Sequence, residues 1–308
     1  MATKTFIRTS LRQYQLFFMI LPAVVWLFVF QFYPLWGWYM AFVEYKPGRT
    51  FFNQPFVGLY YFKQLFGDYR FHEAFKNTLI MSVLNLTICS FIMPVFFALI
   101  LNEVRLIKFK KFVQSVSYLP YFVSWVVVSG IIVQSLSPTN GIINEVLVGI
   151  GILKEPINFL SFGKYFYGVI TLSTLWKTMG WSSIIYIAAI TSVDQELYEA
   201  AVVDGATRLQ KIFHITLPSI MPTIIIIFII SISGLVGGSA GWEAQLLLRN
   251  NLTAAKAEVL YLYSLTYGIN MGRYSFGTAV GIFTSVISVS LMLIANFLFR
   301  RFSDHSLF

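Results

Sequence analysis

Six uninterrupted apolar runs constrain this 308-residue chain more than any other feature of it. They cover 16–43, 77–101, 112–135, 167–190, 218–238 and 275–299. Each reaches the ~20 residues that a helix needs to cross bilayer hydrocarbon. Five contain no Asp, Glu, Lys or Arg, and the fourth contains only Lys177. Charged residues make up 11% of the chain, against about 25% in a soluble domain, so a water-soluble globule is excluded and the apolar surplus must face lipid. The expected fold is all-α integral membrane, with six transmembrane helices.

The net charge of +9 is spread in short groups between the apolar runs and forms no basic stripe, which argues against nucleic acid. It serves better to orient the chain. Six spans put both termini on one side; Lys4, Arg8 and Arg12 lie at one end and Arg300 and Arg301 at the other, so both should be cytoplasmic. Arg105, Lys108, Lys110 and Lys111 crowd the short connection after the second span and agree with that side. The external loops are then 44–76, 136–166 and 239–274, of which 44–76 fits worst, with five Lys and Arg. The stretch from Leu16 to Val43 is too long for the ~7–15 residue core of a signal peptide and reads as a retained first span, tilted or kinked at Pro22 and Pro34.

Carriers driven by protons or sodium use ionisable groups inside their spans. Here the spans hold no carboxylate or histidine. Lys177 reads either as a snorkelling or cavity-facing lysine or as a substrate contact. The chain has no P-loop, so ATP, if it is the energy source, must be hydrolysed by another chain. Cys89 is the single cysteine, and no metal-ligand spacing occurs.

Polar and small residues recur at helical spacing within three spans: Thr78, Ser82, Asn85 and Cys89; Ser173, Trp176, Lys177, Gly180 and Ser183; Gly277, Gly281, Ser285, Ser288 and Asn296. Each stripe suits close helix packing or the lining of a cavity. Gly234, Gly237, Gly238 and Gly241 suggest a break or a close crossing after the fifth span. Trp36 and Trp38 belong to an interfacial belt. Trp125, Trp176 and Trp181 lie well inside spans, where an indole can stack on a sugar ring or fill a helix interface. Asn85, Trp125 and Trp181, with Trp176 and Tyr186 behind them, are the candidates for a substrate path, which would combine stacking faces with a few hydrogen-bonding groups.

The connection from 191 to 218 carries the most information. Asp194 is placed to cap a short helix that ends at Gly205, and a second helix should start near Thr207 and stop before Pro218. Ala200 and Ala201, flanked by charges, make this either a docking surface or a solvated connector. The run Glu199-Ala200-Ala201, three residues, Gly205, nine residues, Ile215-Thr216-Leu217-Pro218 resembles the EAA-x3-G-x9-I-x-LP signature of binding-protein-dependent ABC importer permeases.

The resemblance covers nearly the whole chain and is nearest to the maltose-type (type I) carbohydrate importers, in the branch that takes up oligosaccharides and polysaccharide fragments. Leu21-Pro22-Ala23, Phe32-Tyr33-Pro34, Asn77-Thr78-Leu79, Asn102-Glu103, Tyr118 to Trp125 and Ser306-Leu307-Phe308 support it. It implies the type I permease fold in a bacterial cytoplasmic membrane and a second homologous permease as partner. It also implies two copies of a cytoplasmic P-loop ATPase that binds the ATP and Mg, and an extracytoplasmic solute-binding protein. By that resemblance Glu199, Ala200, Ala201, Asp204 and Gly205 form the coupling helix, and Leu217 and Pro218 close the motif. The chain would divide into a cytoplasmic tail, 1–15; the first helix and its loop, 16–76; a five-helix core, 77–299, carrying the coupling loop; and a second tail, 300–308. Large maltose-type permeases carry an external insertion that this chain lacks, which leaves Trp242 and Glu243 as candidates for the gate or for binding-protein contact.

The expected function is therefore a permease subunit that forms half of a carbohydrate path, with no catalytic or metal site of its own. The rivals are a stand-alone channel or carrier, and a polytopic membrane enzyme using Glu199, Asp204 and His214 as acid and base groups.

Overall fold

The computed structural model describes residues 14–236 and 242–302. The charges at Lys4, Arg8 and Arg12, the glycines Gly237, Gly238 and Gly241, and the closing Ser306-Leu307-Phe308 lie outside the described residues. Among the described residues the regular structure is helical, with one isolated bridge between Val43 and Phe56. The helices are α1 (Tyr14–Phe42), α2 (Tyr60–Gly67), α3 (Tyr69–Glu103), α4 (Ile107–Phe122), α5 (Trp125–Ser135), α6 (Ile142–Gly149), α7 (Gly163–Thr191), α8 (Gln195–Val203), α9 (Arg208–Ile232), α10 (Trp242–Leu248), α11 (Ala254–Ala257), α12 (Leu260–Tyr263) and α13 (Tyr274–Phe302).

By length and composition α1, α3, α9 and α13 can each cross a membrane. The expected third span, 112–135, is not a straight helix: α4 and α5 meet at 102°. Val123 and Ser124 at the junction are extended, and the Ser124 hydroxyl accepts from the Val127 N–H at 3.4 Å to start α5. Pro120 followed by Ser124, a helix breaker and then a cap, was the local signal for this break. The expected fourth span falls within α7, which is not among the helices long and apolar enough by composition to cross a membrane. It buries ten residues, six of them polar, small or charged: Thr171, Ser173, Thr174, Lys177, Gly180 and Ser183.

α7 is the hub, packing on α3, α4 and α9 and touching α10 and α11. At one end Val95, Ala98, Tyr186, Ile190, Val193, Ile220 and Ile224 form a cluster joining α3, α7 and α9. At the other, Leu65, Phe71, Ala74, Leu260, Tyr263, Phe276 and Val280 join α2, α3, α12 and α13. There Asp68 caps α3 through the Arg70 N–H and accepts the Tyr263 hydroxyl at 2.5 Å. Gly268 and Gly277 let α13 touch the turn before it, since a Cβ on Gly268 would lie 2.5 Å from the Gly277 Cα. None of the residues of Tyr14–Leu27 or Phe28–Phe32 in α1 is buried within this chain.

Three prolines sit inside long helices directly after a widened π turn: Phe28–Phe32 before Pro34, Asn85–Ile92 before Pro94, and Ile212–Thr216 before Pro218. Proline lacks an N–H and its ring presses on the carbonyl one turn back, and a wider turn relieves that clash without breaking the helix. For this reason α9 does not stop before Pro218, as the sequence suggested, but runs through it. Gly234 does end it, just past Ser233.

Candidate functional site

Two places gather the residues singled out from the sequence. The first is a cavity of about 610 Å³ between α3, the α4–α5 break, α7 and α10. Asn85, Cys89, Tyr121, Ser124, Trp125, Thr174, Lys177, Thr178, Ser182 and Glu243 are among its walls.

Lys177 organises the cavity. It is 6% exposed, and its ammonium donates to the Pro120 carbonyl at 3.2 Å, to the Tyr121 carbonyl at 2.7 Å and to the Val123 carbonyl. The Pro120 and Tyr121 carbonyls belong to the last turn of α4, whose dipole is negative there, and the Val123 carbonyl to the break just past it; the Pro120 carbonyl also accepts the Val123 N–H at 3.2 Å. Lys177 therefore does not snorkel to an interface; it caps α4 from the side. Its Nζ also lies 5.6 Å from the ring centres of both Tyr121 and Trp125. One turn along α7, Gly180 admits α4: a Cβ there would stand 2.1 Å from the Ser117 carbonyl oxygen. Trp181, the next residue, stacks on Tyr121 with centroids 4.5 Å apart and planes at 5°.

The stripe on α3 divides between two tasks. Thr78 donates to the Ala74 carbonyl and accepts the Leu260 N–H, and Ser82 donates to the Leu235 carbonyl, so both serve packing. Asn85 and Cys89 line the cavity. Of the other path candidates, Trp125 lines it and Trp181 lines an adjoining recess with Ser90, Ser182 and Ser231. Trp176 is 51% exposed on the opposite side of α7 and does not line it. Tyr186 is buried in the core, its hydroxyl donating to the Ser90 carbonyl at 3.1 Å. Glu243 is an exposed part of the cavity wall, whereas Trp242 packs on Tyr261 at 4.5 Å, beside Thr78 and Ser82. Sequence reasoning missed Tyr121, Thr174 and Thr178, because their place depends on the α4–α5 bend and on which face of α7 meets it.

The second place is the connection between α7 and α9. Asp194 accepts the Glu196 N–H at 3.0 Å and starts α8. Gly205, at φ +75°, ends it; the Ala206 N–H reaches the Ala201 carbonyl at 2.8 Å and the Gly205 N–H the Val202 carbonyl at 3.1 Å, the paired bonds of a Schellman ending. Thr207 and Gln210 then form a capping box that opens α9. The Tyr198 hydroxyl shares a hydrogen bond with Thr216 at 2.9 Å and ties α8 to α9. Glu199 and Ala200 face outward, while Ala201, Asp204, Gly205, Gln210, Lys211 and His214 border a groove of about 330 Å³. Leu217 packs on the inner cluster and Pro218 is exposed. Glu199, Asp204 and His214 do not assemble as an acid–base group: Glu199 is outside the groove, and the ring of His214 is 3.0 Å from the Gln210 carbonyl through Nδ1.

The model of the family described as binding-protein-dependent transport system inner membrane component matches residues 77–304. The chain is similar to the polygalacturonan/rhamnogalacturonan transport system permease protein YteP of Bacillus subtilis (strain 168), 40% identical over 97% of this chain and 91% of that one. It is 36% identical to protein LplB of the same organism, over 95% and 91%. Among solved structures it is similar to a chain of a bacterial ABC transporter involved in the import of the acidic polysaccharide alginate. That match has 38% identity and a TM-score of 0.85 over 96% of this chain and 98% of that one. The alginate transporter in complex with its alginate pentasaccharide-bound periplasmic protein matches at 37% identity, with a TM-score of 0.87 over 97% and 99%.

Proposed function

The chain belongs to the family of binding-protein-dependent transport system inner membrane components, as a permease subunit of a carbohydrate ABC importer, and from that premise we propose how its parts work. Six spans cross the cytoplasmic membrane, with α4 and α5 together making one of them and both termini inside. A second homologous permease completes the path, two copies of a P-loop ATPase sit below, and an extracytoplasmic binding protein delivers an oligosaccharide. The exposed apolar start of α1 is consistent with lipid and a partner subunit covering it.

The observation that carries this reading is α8. It is a short helix capped at both ends, and it turns Glu199 and Ala200 outward beside a groove on the predicted cytoplasmic side. A helix fastened to α9 by Tyr198 passes on a push from below as a rigid unit. ATP closure of the ATPase pair would move α8, rock the bundle and open the Lys177 cavity to the loaded binding protein. That protein can shift the equilibrium only by preferring the outward-open state.

Gly205→Asp tests the assignment. A Cβ at Gly205 would meet nothing within 4 Å, but φ +75° strains any L side chain, so Gly205→Ala serves as the control for strain and the further loss in Gly205→Asp reports the carboxylate's effect on whatever docks there. Gly205→Asp is expected to insert into the membrane normally, to lose most of its uptake and to retain less ATPase on gentle purification. Normal uptake by this variant would sink the coupling role of α8.

A further inference from the structure

Resting on the orientation proposed above, which puts the start of α4 on the cytoplasmic side, we infer that α4 carries a binding site for an anionic phospholipid of the inner leaflet. Arg105, Lys108 and Lys111 hold the headgroup phosphate, and Phe109, Phe112, Val116 and Leu119 bear one acyl chain.

No residue of α4 is buried within this chain. Its inner flank meets α7 through Ser117, against Gly180, and through Tyr121, stacked on Trp181. The outer flank is apolar: Phe109, Phe112, Val116 and Leu119 recur every three or four residues and are 47–64% exposed. From Phe109 to Leu119 the helix rises ~15 Å, half of the ~30 Å hydrocarbon thickness and so the depth of one leaflet.

Charge occupies one end of this stripe alone. Arg105, Lys108, Lys110 and Lys111 cluster there against a single nearby carboxylate, Glu103, and α4 has no charged residue beyond Lys111. Lys108 and Lys111, three residues apart, are exposed on the flank beside Phe112, and Arg105 is exposed just before them. Among the described residues the ion pair present joins Lys46 to Glu44, and none of the four cationic side chains has a partner. No side chain caps the start of α4, whose dipole is positive there. This corner lies at the α8 end of the bundle: Leu99 of α3 and Tyr198 of α8 pack on one apolar cluster, and α3 ends soon after Leu99, at Glu103.

Cations at the membrane surface above a leaflet's depth of apolar side chains match a phospholipid better than a protein partner, which has no need of charge confined to one end. An anionic headgroup is favoured over a zwitterionic one, whose own ammonium meets the same cations. Each Lys or Arg near the surface adds about fivefold in attraction, ~1 kcal/mol.

In the test, the assembled importer in detergent is labelled with a phosphatidylglycerol whose acyl chain carries a photoreactive diazirine, and the labelled peptides are mapped by mass spectrometry. Label is expected on segment 109–119, displaced about tenfold more readily by unlabelled phosphatidylglycerol than by phosphatidylcholine, and not by inorganic phosphate. Lys108→Gln with Lys111→Gln should abolish that preference, and Lys108→Arg with Lys111→Arg should keep it. An unlabelled 109–119 segment in wild type, as when a partner subunit covers the stripe, overturns the inference. So does displacement by phosphate, equal displacement by the two lipids, or a preference that survives the Gln pair. Orientation is read separately: in intact cells an impermeant maleimide should reach Lys111→Cys only after permeabilisation. Reaction before it overturns the inner-leaflet site together with the orientation, whereas failed competition with the expected accessibility ends the lipid site alone.

Discussion

The loop that carries α8 and the cavity around Lys177 hold their shapes by different means. In the loop each structural bond is short in sequence: Asp194 to Glu196, Ala206 to Ala201, Thr207 to Gln210, with Tyr198 to Thr216 the longest at 18 residues. In the cavity Lys177 reaches back 57 residues to Pro120, and Gly180 fits against the backbone of Ser117. A change in the loop should therefore act where it is made. One in the cavity should move a whole helix.

Gly180→Leu presses hardest on that contrast. Its side chain would have to occupy the space of the Ser117 backbone, so α4 must shift away from α7 and drag the Lys177 clamp and the Tyr121–Trp181 stack with it. Overpacking of this kind costs about 1–3 kcal/mol. We expect a clear drop in the thermal stability of the purified chain and near-complete loss of uptake. Unchanged melting would show that α4 and α7 are less tightly coupled than their contact implies.

Tyr198→Phe removes one hydrogen bond from the loop and leaves the ring packed. A loss of about 0.5–1.5 kcal/mol is expected, visible as fewer sugars moved per ATP hydrolysed by the assembled importer, with membrane insertion intact. Equal coupling efficiency would mean that α8 is held by its packing alone.

Thr174→Val has the smallest effect on stability and sharpens the comparison through its sign. Its hydroxyl is buried with no hydrogen-bond partner among the described residues, a state that costs free energy, so an apolar group of like shape should leave stability unchanged or slightly raised. Uptake should nonetheless fall several-fold if that hydroxyl meets substrate. Full uptake with raised stability would assign Thr174 to packing.

The loop was legible from sequence because caps are local chemistry: an Asp before the first turn and a Gly where φ must be positive mark the ends of α8 in any context. The one error there, a stop before Pro218, came from treating proline as a breaker when a π turn absorbs it. The α3 stripe was visible as a polar face, yet its division at Asn85 between packing and cavity was not, since Thr78 and Ser82 differ from Asn85 only in what lies opposite them.

Hydropathy run length by itself set the overall class and pointed to α1, α3, α9 and α13 as helices able to cross a membrane, because lipid demands about twenty apolar residues with every backbone group paired. The spacing of Glu199, Ala200, Ala201, Gly205 and Pro218 marked the family. The tertiary structure alone decided that the third stretch breaks by 102°, that Lys177 faces the carbonyls at the break, and that Trp176 turns away from the cavity its neighbour lines. Those facts depend on the rotation of α7 about its own axis and on its fit against α4. Rotation and fit are set by contacts between residues far apart in the chain, to which a local pattern of apolar and polar positions is blind.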